Sequence, residues 1–294
     1  MVTDLSFSRK LFVLSNYIGL SLLALLCLFP LIHTLAVSLS SRSAAEAGLV
    51  SLWPIDFNIS SYQYALSKQE FIHAFFVSVQ RVALGLTINM LMIILTAYPL
   101  AKEVNAFRLR TVYVWFFFFT VLFGGGLVPS YMIMQHTGLL DTIWALIIPG
   151  AVPVFSVVLL LNFFRGLPKE IEESALIDGA GHLTVLWRIY VPLSVPALAT
   201  LALFSIVGHW NSWFDGIIYM RTAAMYPLQS YLQTIVIDNK LLELTGGEGD
   251  LYREISGRAF TNAQIFLGAL PVLIVYPFLQ KYFVKGIVVG SVKG

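Results

Sequence analysis

Hydrophobic positions along this chain come in long unbroken blocks rather than in the alternation of a half-buried strand or the narrow stripe of a water-facing helix. Six blocks reach the roughly 20 mostly apolar residues that a helix needs to cross a hydrocarbon core. They lie at about 11–39, 73–101, 111–134, 142–163, 192–220 and 263–284. A helix that is apolar all round needs lipid or a protein core on every side. The pattern therefore predicts an all-α integral membrane protein, six transmembrane helices forming one domain over 1–294. The third block opens on Trp115, Phe116, Phe117, Phe118 and Phe119. It is expected to break near Gly124, Gly125 and Gly126, because glycine loses the most conformational freedom in a helix. The first block follows Arg9 and Lys10 as a secretory signal would. It runs from Leu11 to about Leu39, far past the ~7–15 residues of a signal core, and reads as a retained helix. The polar stretches 40–72 and 221–262 read as loops or small caps.

Composition sharpens this picture. The chain is 58% hydrophobic and 12% charged, where a soluble domain carries about 25% charged residues. A net charge of +2 is too small for a nucleic-acid binder. The single cysteine, Cys27, excludes an intrachain disulfide and reads as a small packed hydrophobe. His33, His73, His136, His182 and His209 have no metal-ligand spacing. There is no GxxxxGK[ST] phosphate loop and no G-x-S-x-G elbow, so ATP chemistry and nucleophilic catalysis are not expected on this chain.

Lysine and arginine set orientation. With the N-terminus placed in the cytoplasm, eleven basic residues fall inside and six outside, and Arg81 stays within the second block. The short segment 102–110 has three of the inner ones, while 124–141 has none. Both termini are expected to be cytoplasmic.

The segment between the fourth and fifth blocks, 167–190, is then cytoplasmic. Pro168 suits the start of a helix, where a missing N–H costs nothing. Glu170, Glu172 and Glu173 follow in the first turns, where acids complement the helix dipole. Gly179 can take positive φ and end the helix, and His182 to Tyr190 reads as a second short helix. The product is a compact helix–turn–helix with small side chains at Ser174, Ala175, Gly179 and Ala180.

The fifth block is the most polar. Ser205, His209, Trp210, Asn211, Ser212, Trp213 and Asp215 crowd into it, and polar groups at membrane depth face a bundle interior or a wet cavity. Asn211 and Asp215, four apart, share a helix face, flanked by Trp210 and Trp213. Amide, carboxylate and indole together suit a hydroxylated ring, so these four residues, with Asn89 of the second block, are candidates for a substrate path. Arg81 is expected to snorkel to the interface, and Asp141 to cap the fourth helix.

The 167–190 segment resembles the E-A-A, three residues, G motif of binding-protein-dependent ABC importer permeases. Glu173-Ser174-Ala175 stands for E-A-A, Asp178-Gly179-Ala180 for the D-G-A that follows, and Pro192 and Pro196 for the downstream prolines. Ser174 departs from the pattern by a small-for-small change. Trp210-Asn211 and the run from Gln280 to Gly294 resemble the carbohydrate-uptake group, on the side of the smaller maltose permease subunit. Phe123 to Tyr131 and Asn162-Phe163-Phe164-Arg165 resemble a subgroup for complex oligosaccharides that includes the bacterial alginate importer. The resemblance implies a coupling helix formed by Glu173, Ser174, Ala175, Asp178, Gly179 and Ala180. It implies a place in a bacterial inner membrane, a second, non-identical permease subunit, two ATPase subunits that hold ATP and Mg, a solute-binding protein and a saccharide cargo moved by alternating access. The competing readings are an ion-coupled secondary transporter, an intramembrane enzyme and a permease for a non-sugar solute. Apart from Arg81 and Asp215 the blocks have almost no charge, which disfavours ion coupling, and no catalytic cluster lies at membrane depth.

Overall fold

The computed structural model describes residues 7–245 and 257–291. Loop residues 246–256 and the end of the C-terminal run, 292–294, lie outside the described residues. Helices follow in the order α1 (Phe7–Ser38), α2 (Arg42–Glu46), α3 (Ser60–Ser67), α4 (Gln69–Ala101), α5 (Arg110–Leu122) and α6 (Leu127–His136). Two 3-10 turns, Ile143–Leu146 and Ile148–Gly150, lead into α7 (Val154–Arg165) and α8 (Lys169–Ile177). After α9 (His182–Val185), a π turn (Leu186–Tyr190) and α10 (Val191–Leu193) come α11 (Val195–Asn211), α12 (Phe214–Tyr219), α13 (Leu228–Thr245) and α14 (Arg258–Ser291). No strand occurs among the described residues.

Among the described residues, three helices are long and apolar enough to cross a membrane: α1, α4 and the Arg258–Phe278 part of α14. Three further crossings exist only if bent pairs count as single spans. These are α5 with α6 at 113°, the 3-10 turns with α7 at 46°, and His182–Leu193 with α11 at 83°. The break expected at the glycine run is present: Phe123 is extended and Gly126 has φ +80°. The fourth and fifth apolar blocks, unlike the expectation of one continuous helix each, are broken. Pro149 and Pro153 interrupt the fourth, since neither ring can donate to a helix. The fifth turns at Ser194 and breaks again at Ser212 and Trp213.

The chain divides into two compact units. In one, made of Met1–Phe71 and Thr234–Leu270, a small core joins Ala36 and Val37 of α1, Ala44 and Ala45 of α2, Val50 and Ala259. The first three-quarters of α1 presents its surface outward. Every residue from 7 to 30 is exposed, Cys27 among them, so the packed position expected for that cysteine is not found. A helix that is apolar and unburied over this length is suited to lipid or to a partner helix.

The other unit, Ile72–Gln233 with Pro271–Gly294, carries the larger core. Ile93 and Ala97 of α4, Leu160 and Phe164 of α7, Val185, Leu186 and Leu201 of α11 are all nearly inaccessible. These residues pack α4, α7 and α11 against one another, and they fix the positions of the polar groups described next.

Candidate functional site

Arg81, Gly85 and Asn89 recur every four residues along α4 and so lie on one face. Together they meet the broken ends of the fourth and fifth blocks. Asn89 donates from Nδ2 to the carbonyls of Gly150 (2.7 Å) and Ala151 (3.0 Å), at the bend before α7. That fixes its amide orientation. Its Oδ1 then accepts from Ser205 Oγ (2.9 Å) and from His209 Nε2 (2.7 Å) of α11. An acceptor opposite Nε2 requires the proton on that nitrogen.

Arg81 does the same two turns away. Its guanidinium donates to Ser212 O (3.3 Å), at the break between α11 and α12, and to Leu146 O (3.4 Å) in the first 3-10 turn. It also forms a two-pronged ion pair with Asp215, with Nη1 to Oδ1 at 3.1 Å and Nη2 to Oδ2. The Arg81 side chain is 3% exposed and Asp215 25%. The snorkelling expected for Arg81 is therefore replaced by a buried pair. The Asp215 carboxylate further accepts from Ser212 Oγ (2.8 Å) and the Gly216 N–H (2.9 Å). Between the two polar residues the His209 ring lies against Gly85. A Cβ at that glycine would come within 2.4 Å of Nε2.

These groups line a cavity of about 380 Å³ with Ser156, Ser205, Ser212, Phe204 and Tyr219. That size falls in the ligand-site range of ~300–1,000 Å³. Of the residues expected to form a path, Asn89 and Asp215 are in the wall. Trp210 is buried and stacks edge-on against Phe75 at 5.7 Å. Asn211 and Trp213 are exposed, outside this cavity. The face that Asn211 and Asp215 would share on a continuous helix is lost at the break. Ser205, His209 and Arg81 take its place in the wall. Asp141 does not cap the fourth helix: it has φ +61° and its carboxylate accepts from the Arg221 N–H (3.0 Å) and Thr222 Oγ1 (3.3 Å).

The helix–turn–helix of 167–190 is present as α8, its turn and α9. Gly179 has φ +85°, its N–H donates to Leu176 O (3.1 Å), and the Ala180 N–H donates to Ala175 O (2.9 Å). This is the paired closure of a helix that ends on a left-handed residue. Ala175 and Ala180 pack inward on the bundle core, so their small size lets α8 approach its own unit. Glu173, Ser174 and Asp178 face outward, and Ile177 is 85% exposed at the tip.

The underside of α8 is tied to the end of α4. Glu172 accepts from Lys102 Nζ and from the Tyr190 hydroxyl (2.5 Å). Lys102 lies 4.0 Å from the Tyr98 ring centre and 4.5 Å from that of Tyr190. Burial pushes the Glu172 carboxyl up, but the hydrogen bonds from Lys102 and Tyr190 and the Lys102 charge outweigh it and hold the group below its ordinary value. The last turn of α4 is held from two more sides. Leu100 O accepts from Arg110 Nε (2.9 Å) and Arg165 Nη2 (3.2 Å), cations placed where a helix C-terminus favours them. A second pair, Lys169 with Glu103, is exposed at 69% and 63%.

Residues 71–289 match the family described as the binding-protein-dependent transport system inner membrane component, and the chain belongs to this family. It is 36% identical over 287 residues to Protein LplC of Bacillus subtilis, covering 97% of this chain and 96% of the relative. It is also 36% identical to the polygalacturonan/rhamnogalacturonan transport system permease protein YtcP of the same organism, over 97% of this chain and 99% of that one. A chain in the crystal structure of a bacterial ABC transporter involved in import of the acidic polysaccharide alginate superposes with a TM-score of 0.85 at 31% identity. It covers 96% of this chain and all of that one.

Proposed function

We propose that this member of the family is one permease half of an ATP-driven importer for an oligosaccharide cut from an acidic polysaccharide. The observation that carries the coupling part of the reading is α8. It is pinned to its bundle by Glu172 and two inward alanines, while Ile177 and the acids of its outer face are left uncovered. A short helix built in this way suits docking into a cytoplasmic ATPase. The cargo class is supported by the polygalacturonan/rhamnogalacturonan permease and the alginate importer to which the chain is similar.

In this reading the three long helices and three bent pairs are six spans, both termini are cytoplasmic, and 167–190 projects inside. A second, non-identical permease completes the path, two ATPases hold ATP and its Mg²⁺, and a solute-binding protein delivers cargo from outside. The cavity on α4 and α11 belongs to the path. Its serine and tyrosine hydroxyls offer replaceable hydrogen bonds to sugar hydroxyls, and transport needs contacts weak enough to release. This chain contributes movement and a surface, with no bond-making step.

Uptake by the reconstituted four-subunit complex and its binding protein tests the reading. Alginate and polygalacturonate oligosaccharides are expected to enter in an ATP-dependent manner and to be preferred over maltooligosaccharides of equal length. Preference for the neutral sugar would overturn the cargo class. Uptake that continues without the ATPases would overturn the importer reading itself.

A further inference from the structure

We infer that Lys102, Glu172 and Tyr190 form a rigid joint that transmits movement of α8 into α4, making Lys102 a positioning residue for transport. The inference rests on the reading of α8 as the ATPase-docking element. An isolated loop helix could be displaced by a partner without moving the bundle. Here that freedom is removed by one partly buried carboxylate. Glu172 is 15% exposed and Lys102 14%, and two donors from different elements converge on the same acid.

The donors matter because of where they come from. Lys102 immediately follows α4. Tyr190 closes the π turn that leads into α10 and α11, and turns of this kind cluster at functional sites. Tyr190 also packs edge-on against Tyr98 of α4 and Phe164 of α7, each at 5.1 Å. The lysine sits over both tyrosine rings, so it is fixed by two aromatic faces as well as by the acid. A push on α8 therefore reaches α4 through a partly dehydrated ion pair rather than through a flexible loop.

Beyond the joint, α4 is a single helix of 33 residues with Pro99 in its last turn, while the fourth and fifth blocks are broken. The same helix carries Asn89 and Arg81, which hold the broken ends and line the cavity. From Lys102 to Asn89 is about 20 Å along such a helix at ~1.5 Å per residue. The geometry thus makes a lever, with the joint at one end and the cavity's polar wall at the other. The neighbouring Lys169–Glu103 pair ties α8 to the loop after α4, but it is solvent-exposed, and exposed pairs contribute little. It serves as the internal control.

The test uses the full complex in proteoliposomes, with spin labels at the exposed positions Leu91 on α4 and Ile177 on α8, and alginate oligosaccharides as the cargo probe. The wild-type label distance is expected to stay the same between nucleotide-free and ATP-trapped states. Lys102→Ala is expected to shift or broaden that distance on ATP trapping, and to raise ATP consumed per oligosaccharide imported by ~5-fold or more, the low end of an allosteric coupling. Tyr190→Phe, which keeps the ring packing, should give a smaller rise in the same direction. The reversed pair Lys102→Glu with Glu172→Lys should recover part of the ratio, and Glu103→Gln should leave it unchanged. A wild-type distance that changes between the two states overturns the joint. So does an unchanged ratio in both Lys102→Ala and Tyr190→Phe. If the Ile177 label is no less mobile after ATPase subunits are added, the docking reading falls first and the joint with it.

Discussion

Removing the Asp215 carboxylate should be one of the most damaging single changes in this chain. Asp215→Ala leaves the Arg81 guanidinium, 3% exposed, without a counter-charge. Breaking a buried pair from one side costs about 3–5 kcal/mol. Asp215 itself is 25% exposed, so some water can re-enter, and the lower end, about 3 kcal/mol, is expected. Asp215→Asn keeps acceptors for Ser212 Oγ and the Gly216 N–H and should cost less. Arg81→Met with Asp215→Leu removes both charges but strands the carbonyls of Leu146 and Ser212 that Arg81 serves. Each stranded group costs about 1–3 kcal/mol. The double variant should therefore fall below wild type yet be less damaged than the sum of its two single changes. SDS-titration unfolding of the purified complex in mixed micelles gives the four corners of the cycle. An Asp215→Ala loss under about 0.5 kcal/mol, or strict additivity of the two single changes within the usual ~0.5 kcal/mol, would refute the argument that this pair holds the breaks.

Three other outcomes follow from the geometry. Gly85→Ala places a methyl group 2.4 Å from His209 Nε2 and should cost about 1–3 kcal/mol by overpacking in the same titration, with part of it restored by adding His209→Ala. Gly179→Ala meets nothing within 4 Å, so its cost is that of a left-handed backbone alone, about 1–2 kcal/mol; co-purification of ATPase subunits should weaken, and Gly179→Asn should weaken it less. The Glu172 carboxyl is held below its ordinary value of 4.5, so its stabilisation is complete above about that pH and is lost as pH falls through the depressed folded value; melting curves should show wild type losing its advantage over Glu172→Gln on that acid side.

The first, second and sixth apolar blocks were legible as helices long enough to cross a membrane, because length and apolarity alone carry that signal. The closure of α8 was legible because Gly179 and the acids before it are local signals. The breaks in the fourth and fifth blocks had weaker marks. Pro149 and Pro153 stand at the former, but Ser212-Trp213 contains neither glycine nor proline. That break depends on a guanidinium supplied from 131 positions away, a partner no local window can register. One signal was available: Asp215 is the only acid within the blocks and Arg81 the only base away from a block's end, and a buried cation seeks an anion before it seeks the interface. Glu172 misled in the opposite sense. As an acid in a first helical turn it reads as a dipole partner, and nothing near it in sequence points to Lys102, 70 positions earlier.

The placement of the cavity follows from the same constraint. A helix broken within hydrocarbon leaves carbonyls with no water to serve them, and each costs several kcal/mol if unmet. Four of these, at Leu146, Gly150, Ala151 and Ser212, are met by just two side chains of α4. Side chains that reach over to serve a neighbour's backbone hold the helices apart, so the space beside them has polar atoms set into an otherwise apolar wall. A cavity with these polar groups in its wall therefore forms where continuous and broken helices face each other, before any ligand is considered. Moving α4 relative to α11 and the fourth block would strip those carbonyls of their donors. The breaks must travel with α4, which means that the cavity wall is displaced as one piece instead of being sheared apart.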